Sequence, residues 1–444
     1  MVTKLLISFL GVQDLPDTAQ GFVQKTVFTV IFIQLFFGLS STFYVLFVID
    51  TVGYAQLGML LAVSFILQAV LDFPSGVFGD WVGQKWLLFV AYLSYGLSYA
   101  LLVFAASFTD LLAVYCIQAF ASSQASGALQ TWIDNNYKVI AGEADPQRKV
   151  YRYFLGRWQM IGEFILASAF LIGGMLSTIY FRQLVFALQS AGLVILAIAF
   201  LAIINDFPGV ERQERSVRTY FQLMGGGLKA VFMNKTMFLF VIGICFEAAM
   251  WSVWGQMIIF PILFGYTGSD GAASTYRFVI WIAGIPVTGL AATQAAKLDA
   301  KWYPRTRAAF ILLYFGSMLL ITAWFPLSDR FEPVALILTS VVFIGFTILF
   351  KIANILEQRL FLDLIPDRNR NAVYSLIPTL VLLASAPAVI IGGELLTSLG
   401  LTVSTAVLGL TGLAGTIFFY LALRVLPKEL MDQQDAEGTL MDVG

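Results

Sequence analysis

Long apolar stretches separated by short polar ones run through almost the whole chain. A helix needs about 20 mostly apolar residues to cross the hydrocarbon core of a bilayer, and twelve such stretches can be counted. The first six cover roughly 27–50, 55–78, 86–107, 111–133, 153–178 and 182–204. The second six cover roughly 237–264, 271–296, 307–326, 333–358, 373–397 and 402–424. The pattern predicts an all-α integral membrane protein with twelve transmembrane helices.

The longest polar stretch, 205–235, separates the sixth apolar stretch from the seventh. It predicts a cytoplasmic linker between two six-helix bundles. We therefore expect an N-terminal cytoplasmic segment, a first bundle, the linker, a second bundle and a cytoplasmic tail, over 1–26, 27–204, 205–235, 236–424 and 425–444. A weak signal peptide is the alternative for the first segment, but Asp14 and Asp17 directly follow its short apolar run.

Lysine and arginine are distributed unevenly among the connections between these stretches. Cytoplasmic loops of membrane proteins carry an excess of both residues. If both termini are cytoplasmic, the only basic residues left on the outer side, of 26 in total, are Arg182, Arg277 and Arg330. We expect this orientation, in a multi-pass monomer of the plasma membrane.

Composition narrows the chemistry further. Hydrophobic residues form 59% of the chain, and the net charge of -1 provides no basic tract for nucleic acid. Histidine is absent, which leaves carboxylates as the side chains suited to carrying protons. Cys116 and Cys245 lie in apolar stretches and are expected to be small core side chains. We expect no metal and no cofactor.

Enzyme and pump signatures are also missing. The sequence contains no GxxxxGK[ST] phosphate-binding string, and without histidine it cannot form an HExxH zinc site. A GxGD protease string is interrupted by Val77 before Asp80. These absences favour a protein that is not an enzyme.

The two halves of the sequence resemble each other before their fifth stretches. PQRKVY, at 146–151, is similar to PDRNRNAVY, at 366–374. Such a repeat is typical of transporters that bind solutes near the middle of the membrane, between two bundles. Chance similarity of two basic loops is the alternative.

The most specific string is DFPSGVFGDWVGQK, from Asp72 to Lys85, between the second and third stretches. Small glycines allow helices to approach closely, and Gly83 permits a tight turn. Asp80 is placed to be held by backbone amides or a basic partner. A clasp that locks one conformational state and an ordinary capped loop are both compatible with the string.

This string resembles the loop between helices two and three of the major facilitator superfamily, which carries GxxxDxxG followed by basic residues. The residues in that register are Gly76, Asp80, Gly83 and Lys85. Asp72 and Pro74 are similar to a variant in the exporter branches, whereas Trp81 and Gln84 replace basic residues of the family. The resemblance implies two six-helix bundles that alternate access to the two sides of the membrane.

Two further strings resemble the same family. They are SGALQTWIDN, at 126–135, and RNAVYSL, at 370–376. In the first, Asp134 is expected to join the gating charges, with Arg157 or Lys85 as its partner. The Gly-Pro pair that many antiporters of the family have in helix five is missing.

Ionisable residues within the apolar stretches need either a partner or a function, because burying a charge in lipid is unfavourable by several kcal/mol. Glu247 has Trp251 and Trp254 four and seven residues later, on one helical face. A carboxylate beside indoles suits an organic cation; a Glu paired within a helix interface is the alternative. Glu163 is a candidate proton carrier or a structural partner, and Asp72 a gating or structural residue.

Other polar positions complete the candidate site. Lys351 is expected to be the lone buried cation, which neutralises an acid or binds an anion. Gln34 and Gln118 could line a cavity or serve helix packing. Glu394 is not part of this set, because near the outer end of its stretch it could reach water.

The leading hypothesis is proton-coupled efflux of a hydrophobic or cationic small molecule by alternating access. A facilitator or symporter for a sugar, amino acid or organic anion, with Lys351 as the anion site, is the alternative. A receptor without transport activity on the same fold is a further one. The expected partners are the solute, protons and the lipid bilayer.

Overall fold

The computed structural model describes residues 2–205, 207, 225–229, 231–364 and 370–425. Side chains are described except at 2–4, 73–81, 362–363, 370–372 and 374–375. The predicted tail from 426 on and most of the predicted linker lie outside these ranges. The side chains of Pro74 and Asp80 also lie outside the description, and at Gly76 only the helical backbone is described. Part of the second repeat string, 366–374, lies outside it as well.

The described chain is built from helices. The first eight are α1 (Val2–Leu10), α2 (Asp17–Gly38), α3 (Tyr44–Val82), α4 (Gln84–Leu102), α5 (Phe108–Ala125), α6 (Ala128–Ala141), α7 (Lys149–Ile179) and α8 (Arg182–Ile203). The next six are α9 (Lys235–Val253), α10 (Ile259–Thr267), α11 (Asp270–Ala295), α12 (Tyr303–Trp324), α13 (Pro333–Leu364) and α14 (Arg370–Val425). A π-helical turn, Trp254–Ile258, joins α9 to α10.

Within these described ranges, ten helices are long and apolar enough to cross a membrane. In lipid the backbone must satisfy its own hydrogen bonds, which a helix does. Hydroxyl side chains inside the helices do likewise: Thr26 Oγ1 donates to Phe22 O at 3.0 Å, and Thr405 Oγ1 donates to Leu401 O at 2.9 Å. Polar residues therefore do not interrupt the predicted apolar stretches.

Helix boundaries differ from the apolar pattern at several places. Helix α2 begins at Asp17, before residue 27, because its first turns accommodate polar residues. The fourth stretch, 111–133, is divided into α5 and α6 at Gly127, which has a left-handed backbone with φ of 69°. Helix α14 is interrupted at Gly400, with φ of 75°. Glycine alone adopts such angles without strain.

The chain divides into two compact units. The first comprises Met1–Gly53, Val63–Val217 and Thr267–Ile282, and the second comprises Tyr54–Ala62, Arg218–Tyr266 and Ala283–Gly444. The first half of α11 thus belongs to the first unit, and a short piece of α3 belongs to the second. The apolar pattern of the sequence does not indicate that these two helix segments belong to a different unit from the rest of their helices.

Small residues allow close helix packing within each unit, as is typical in membranes. In the first unit, a Cβ on Gly173 would lie 1.7 Å from Leu39 O, so α7 admits no side chain there. In the second unit, a Cβ on Gly58 would lie 2.4 Å from Val389 O, where α3 meets α14.

Candidate functional site

Glu247 lies in α9 and is buried, with 5% of its surface exposed. Its carboxylate faces Arg307, in the first two turns of α12: Arg307 Nε lies 2.9 Å from Glu247 Oε1, at ion-pair distance without hydrogen-bond geometry. Arg307 Nη2 donates to Glu357 Oε2 at 2.6 Å and to Asn354 Oδ1 at 2.8 Å, both on α13. Arg307 therefore contacts two carboxylates at once.

The sequence prediction missed Arg307 and named Lys351 as the lone buried cation, which is wrong. Arg307 is 2% exposed, whereas Lys351 is half-buried. Arg307 follows Lys301 and Arg305 in the sequence, so it reads as part of a basic loop. A charged residue near a helix end can be buried in the fold without any change in the apolar pattern of the sequence, so the pattern does not identify it.

The two tryptophans beside Glu247 pack into an aromatic cluster of the second unit. Trp254 Nε1 donates to Tyr314 Oη at 3.1 Å. The Trp251 ring lies 5.2 Å from Phe350 and stacks on Phe310 at 5.9 Å. With Glu247 paired to Arg307, this geometry is that of the alternative interpretation, a Glu held within a helix interface.

Glu163, in α7 of the first unit, is half-buried. Trp281 Nε1, on the part of α11 that belongs to this unit, donates to Glu163 Oε2 at 2.8 Å. The other carboxylate oxygen makes no hydrogen bond to the residues that the structure describes. Gln34, also half-buried, lies beside the preceding Gly162, whose Cβ would sit 3.4 Å from Gln34 Nε2.

Arg277 lies one turn before Trp281 on α11. Its Nη1 donates to Ser41 Oγ at 2.9 Å and to Thr42 Oγ1 at 3.1 Å, and its guanidinium stacks 3.5 Å from the centre of the Phe170 ring. The sequence analysis assigned Arg277 only to the outer side. The structure brings it within 5.7 Å of the Trp281 ring centre.

Gln118 belongs to a separate polar cluster in the first unit. Tyr44 Oη donates to Gln118 Oε1 at 3.0 Å. The Tyr44 ring lies 6.2 Å from Tyr99 and 6.1 Å from Tyr115. Gln118 is thus held by a tyrosine cluster, a contact that sequence spacing could not predict.

The predicted gating residues are placed as follows. Helix α3 runs to Val82, and Gly83 makes the tight turn into α4 with φ of 87°. Asp72 has Ser126 as a hydrogen-bond partner. Lys85 Nζ donates to Asn205 Oδ1 at 3.0 Å.

The predicted partner of Asp134 is wrong. Asp134 pairs with Arg148, which precedes α7, rather than with Arg157 or Lys85. Arg157 Nη1 instead donates to Phe9 O at 2.9 Å. Arg148 has a left-handed backbone, with φ of 55°, just before α7, so its direction is set by a local turn that the sequence does not reveal.

The first unit contains a second arginine shared by two acids. Arg182 Nε and Nη2 lie 2.7 and 2.9 Å from the two oxygens of Asp270, and Nη1 lies 2.7 Å from Asp50 Oδ2. Ser177 Oγ also donates to Asp270. The bidentate contact to Asp270 is the strong, oriented form of an arginine–carboxylate pair.

Solved structures that superpose on most of this chain include several transporters. The nucleoside transporter NupG superposes with a TM-score of 0.70 at 15% identity, over 91% of this chain and 98% of that one. A bacterial homologue of the human lysosomal transporter Spinster gives 0.63 at 14% identity, over 92% and 96%. The POT family transporter PepTSo gives 0.71 at 8% identity, over 91% and 97%.

The chain shares the all-helical fold of these transporters, which is the fold of the major facilitator superfamily. No protein-family model matches its sequence, and no curated protein matches it either. The identities are too low to carry over a substrate. The superpositions establish the fold, and the charged clusters around Arg307, Glu163 and Arg182 lie within its helices.

Proposed function

We propose that this chain is a secondary transporter that exports a hydrophobic or cationic small molecule by alternating access, coupled to protons. The transporter fold supports the general class of activity. The observation that carries the finer proposal is Glu163, a half-buried acid beside the midpoint of the 31-residue helix α7, with one oxygen held by Trp281.

This arrangement suits a cationic solute. The indole N–H fixes the direction of the carboxylate, and a negative charge beside aromatic rings attracts an organic cation. Phe170 lies 5.4 Å from Trp281 and adds a second ring to the wall. Because the chain has no histidine, an acid of this kind is also the side chain able to exchange a proton during transport.

The other predicted residues keep subordinate roles in this proposal. Gln34 extends the polar surface beside Glu163. Gln118 lies in the same unit, where it accepts a hydrogen bond from Tyr44. Trp251 and Trp254 support the second unit near Glu247. The string from Asp72 to Lys85, together with Asp134 and Arg157, serves as the gating region.

The proposed topology has twelve crossings in two bundles, 27–204 and 236–424, with cytoplasmic termini in the plasma membrane. Gly400 divides the 50-residue apolar range Leu376–Val425 into two crossings, since that range is far longer than one bilayer requires. Helix α5, outside the ten apolar helices, supplies the remaining crossing.

A carrier of an organic anion, amino acid or sugar is the second candidate. It is favoured by Arg277, a cation deep in α11 beside the proposed aromatic wall, and by the half-buried Lys351. An anionic solute would make these cations, rather than Glu163, the residues on which transport depends.

Reconstituted liposomes containing a pH-sensitive dye test the proposal. Lipophilic cations, sugars and organic anions are added in turn to the wild type, Glu163→Gln and Glu394→Gln, an exposed acid in a spanning helix that serves as the matched control. Cations should trigger proton flux that Glu163→Gln reduces by about ten- to a hundredfold, because a charge-assisted contact is lost.

The control variant should transport like the wild type. Proton flux that responds only to anions, or that persists unchanged in Glu163→Gln, would remove the cation proposal. Dependence on Lys351 in that case would favour the second candidate.

A further inference from the structure

The cluster around Arg307 has an imbalance of charge. Two carboxylates, Glu247 and Glu357, contact one guanidinium through different nitrogens. Arginine stays protonated in proteins. If both acids were ionised, the cluster would therefore carry one uncompensated negative charge inside a spanning region.

The surroundings offer little to stabilise that extra charge. On α12, the ring of Tyr303 lies 5.5 Å from the guanidinium carbon, and on α13 the ring of Phe350 lies at the same distance. On α14, Gly415 approaches so closely that a Cβ there would lie 3.4 Å from Glu247 Cγ. The described groups closest to the cluster on these three helices are thus mainly two rings and a glycine.

Other polar groups near the cluster are committed elsewhere or neutral. Asn354 accepts from Arg307. Arg359, farther along α13, donates to Ala295 O at 3.0 Å. Lys351, half-buried on α13, is charged, but no ion pair among the described residues joins it to Glu247 or Glu357. Among the side chains that the structure describes, the charged groups interacting with Glu247 are Arg307 and Glu357.

We propose that Glu247, Arg307 and Glu357 form a binding site for one exchangeable proton. A proton taken from water joins a carboxylate oxygen of the pair, and the cluster becomes neutral. Glu357 is the more exposed acid, with 24% of its side chain accessible against 7% for Glu247, so the proton reaches the pair through Glu357.

Use of this proton to drive solute movement rests on the proposed function; the existence of the site does not. Proton binding can be measured without a solute. Infrared difference spectra of the full-length protein in liposomes report the carbonyl stretch of a protonated carboxyl group, which appears as the pH is lowered.

The variants are Glu247→Gln, Glu357→Gln and the control Glu394→Gln. Each of the first two leaves one acid and one arginine, which is a neutral pair that has no need of a proton and should fold. We expect the wild type and the control to bind one proton more than either cluster variant. Gel filtration verifies that each protein is folded.

A carboxyl band that is absent from the wild type, or unchanged in both cluster variants, would overturn the site. A band lost in both variants while solute-driven proton flux stays at the wild-type rate would establish the site and overturn its role in coupling. A failure of the transport assay with all solutes would count against the proposed function alone.

Discussion

Two arginines in this protein each contact two acids, and their surroundings differ. Arg182 is 19% exposed, and its partners Asp50 and Asp270 are 67% and 9% exposed. Arg307 is 2% exposed, and its partners Glu247 and Glu357 are 7% and 24% exposed. The charge count is the same in both clusters, but only the first has an acid that is mostly in water.

This difference in exposure determines how the charge of the second carboxylate is stabilised in each cluster. Water solvates the largely exposed Asp50, so its negative charge adds little to the free energy of the Arg182 cluster. In the Arg307 cluster neither acid is mostly exposed to water, and an uncompensated charge there is strongly unfavourable. The same set of charges, one arginine and two carboxylates, therefore supports a static contact in one unit and the proposed proton-binding site in the other.

The largest effect is expected from the double variant Glu247→Gln/Glu357→Gln. It leaves the buried Arg307 without a carboxylate among its described neighbours, which should destabilise the protein by about 3–5 kcal/mol. Each single variant keeps a neutral pair and should lose less than about 1.5 kcal/mol. The midpoint of unfolding in detergent measures the difference.

The comparison predicts non-additivity in a specific direction. The double variant should lose more than the two single variants together, because the first removal is compensated by the remaining acid. A double variant whose loss equals the sum would mean that the two acids act independently of Arg307.

The second prediction separates the two acids of the Arg182 cluster. Asp270→Asn removes the bidentate carboxylate and the acceptor of Ser177, so it should destabilise the protein by about 1–3 kcal/mol. Asp50→Asn removes an exposed partner and should cost less than about 1 kcal/mol. Thermal unfolding of both variants under one set of conditions measures them.

Equal losses for the two variants would show that exposure does not control these contacts, and would remove the basis of the comparison. A matched pair of Asp→Asn changes keeps side-chain size constant. The difference between them therefore reports on burial and hydrogen bonding.

The sequence predicted the apolar helices well, because hydrophobic length is a direct requirement of the bilayer. It also predicted the turn at Gly83, since a glycine before a new helix has a local cause. It could not predict the break at Gly127, where a left-handed residue lies inside an apolar stretch. Local signals thus gave the elements, but not their interruptions.

The site was harder to predict. Glu247 was identified because an acid in an apolar stretch is unusual, but its partner Arg307 lies in another helix and follows basic residues of a loop. Trp281 was not identified as the partner of Glu163, because aromatic residues are common throughout this chain. Pairings across helices depend on packing, which composition and spacing do not encode.

A third buried acid sharpens the comparison because it uses no arginine. Asp145, between α6 and α7, accepts from Tyr137 Oη at 3.0 Å and from the Tyr151 amide at 2.9 Å. Burial by itself would raise the pKa of Asp145, but hydrogen bonds from backbone amides and from Tyr137 outweigh it and lower that pKa. Here backbone donors, rather than a cation or a proton, stabilise the buried charge.

The expected effect of pH on Asp145 is the smallest of the three. A lowered pKa in the folded state means that the unfolded chain binds the proton more tightly, so this contribution to stability is complete above the ordinary Asp pKa of about 3.9. It falls away as the pH drops through the folded-state pKa. Between about pH 8 and about pH 6 the difference in unfolding midpoint between wild type and Asp145→Asn should stay constant, and it should shrink only in acid. Glu143→Gln, an exposed acid of the same loop, is the control. A difference that changes within the neutral range would mean that Asp145 gains or loses its proton there, and that backbone donors are not sufficient to keep a buried carboxylate ionised in this protein.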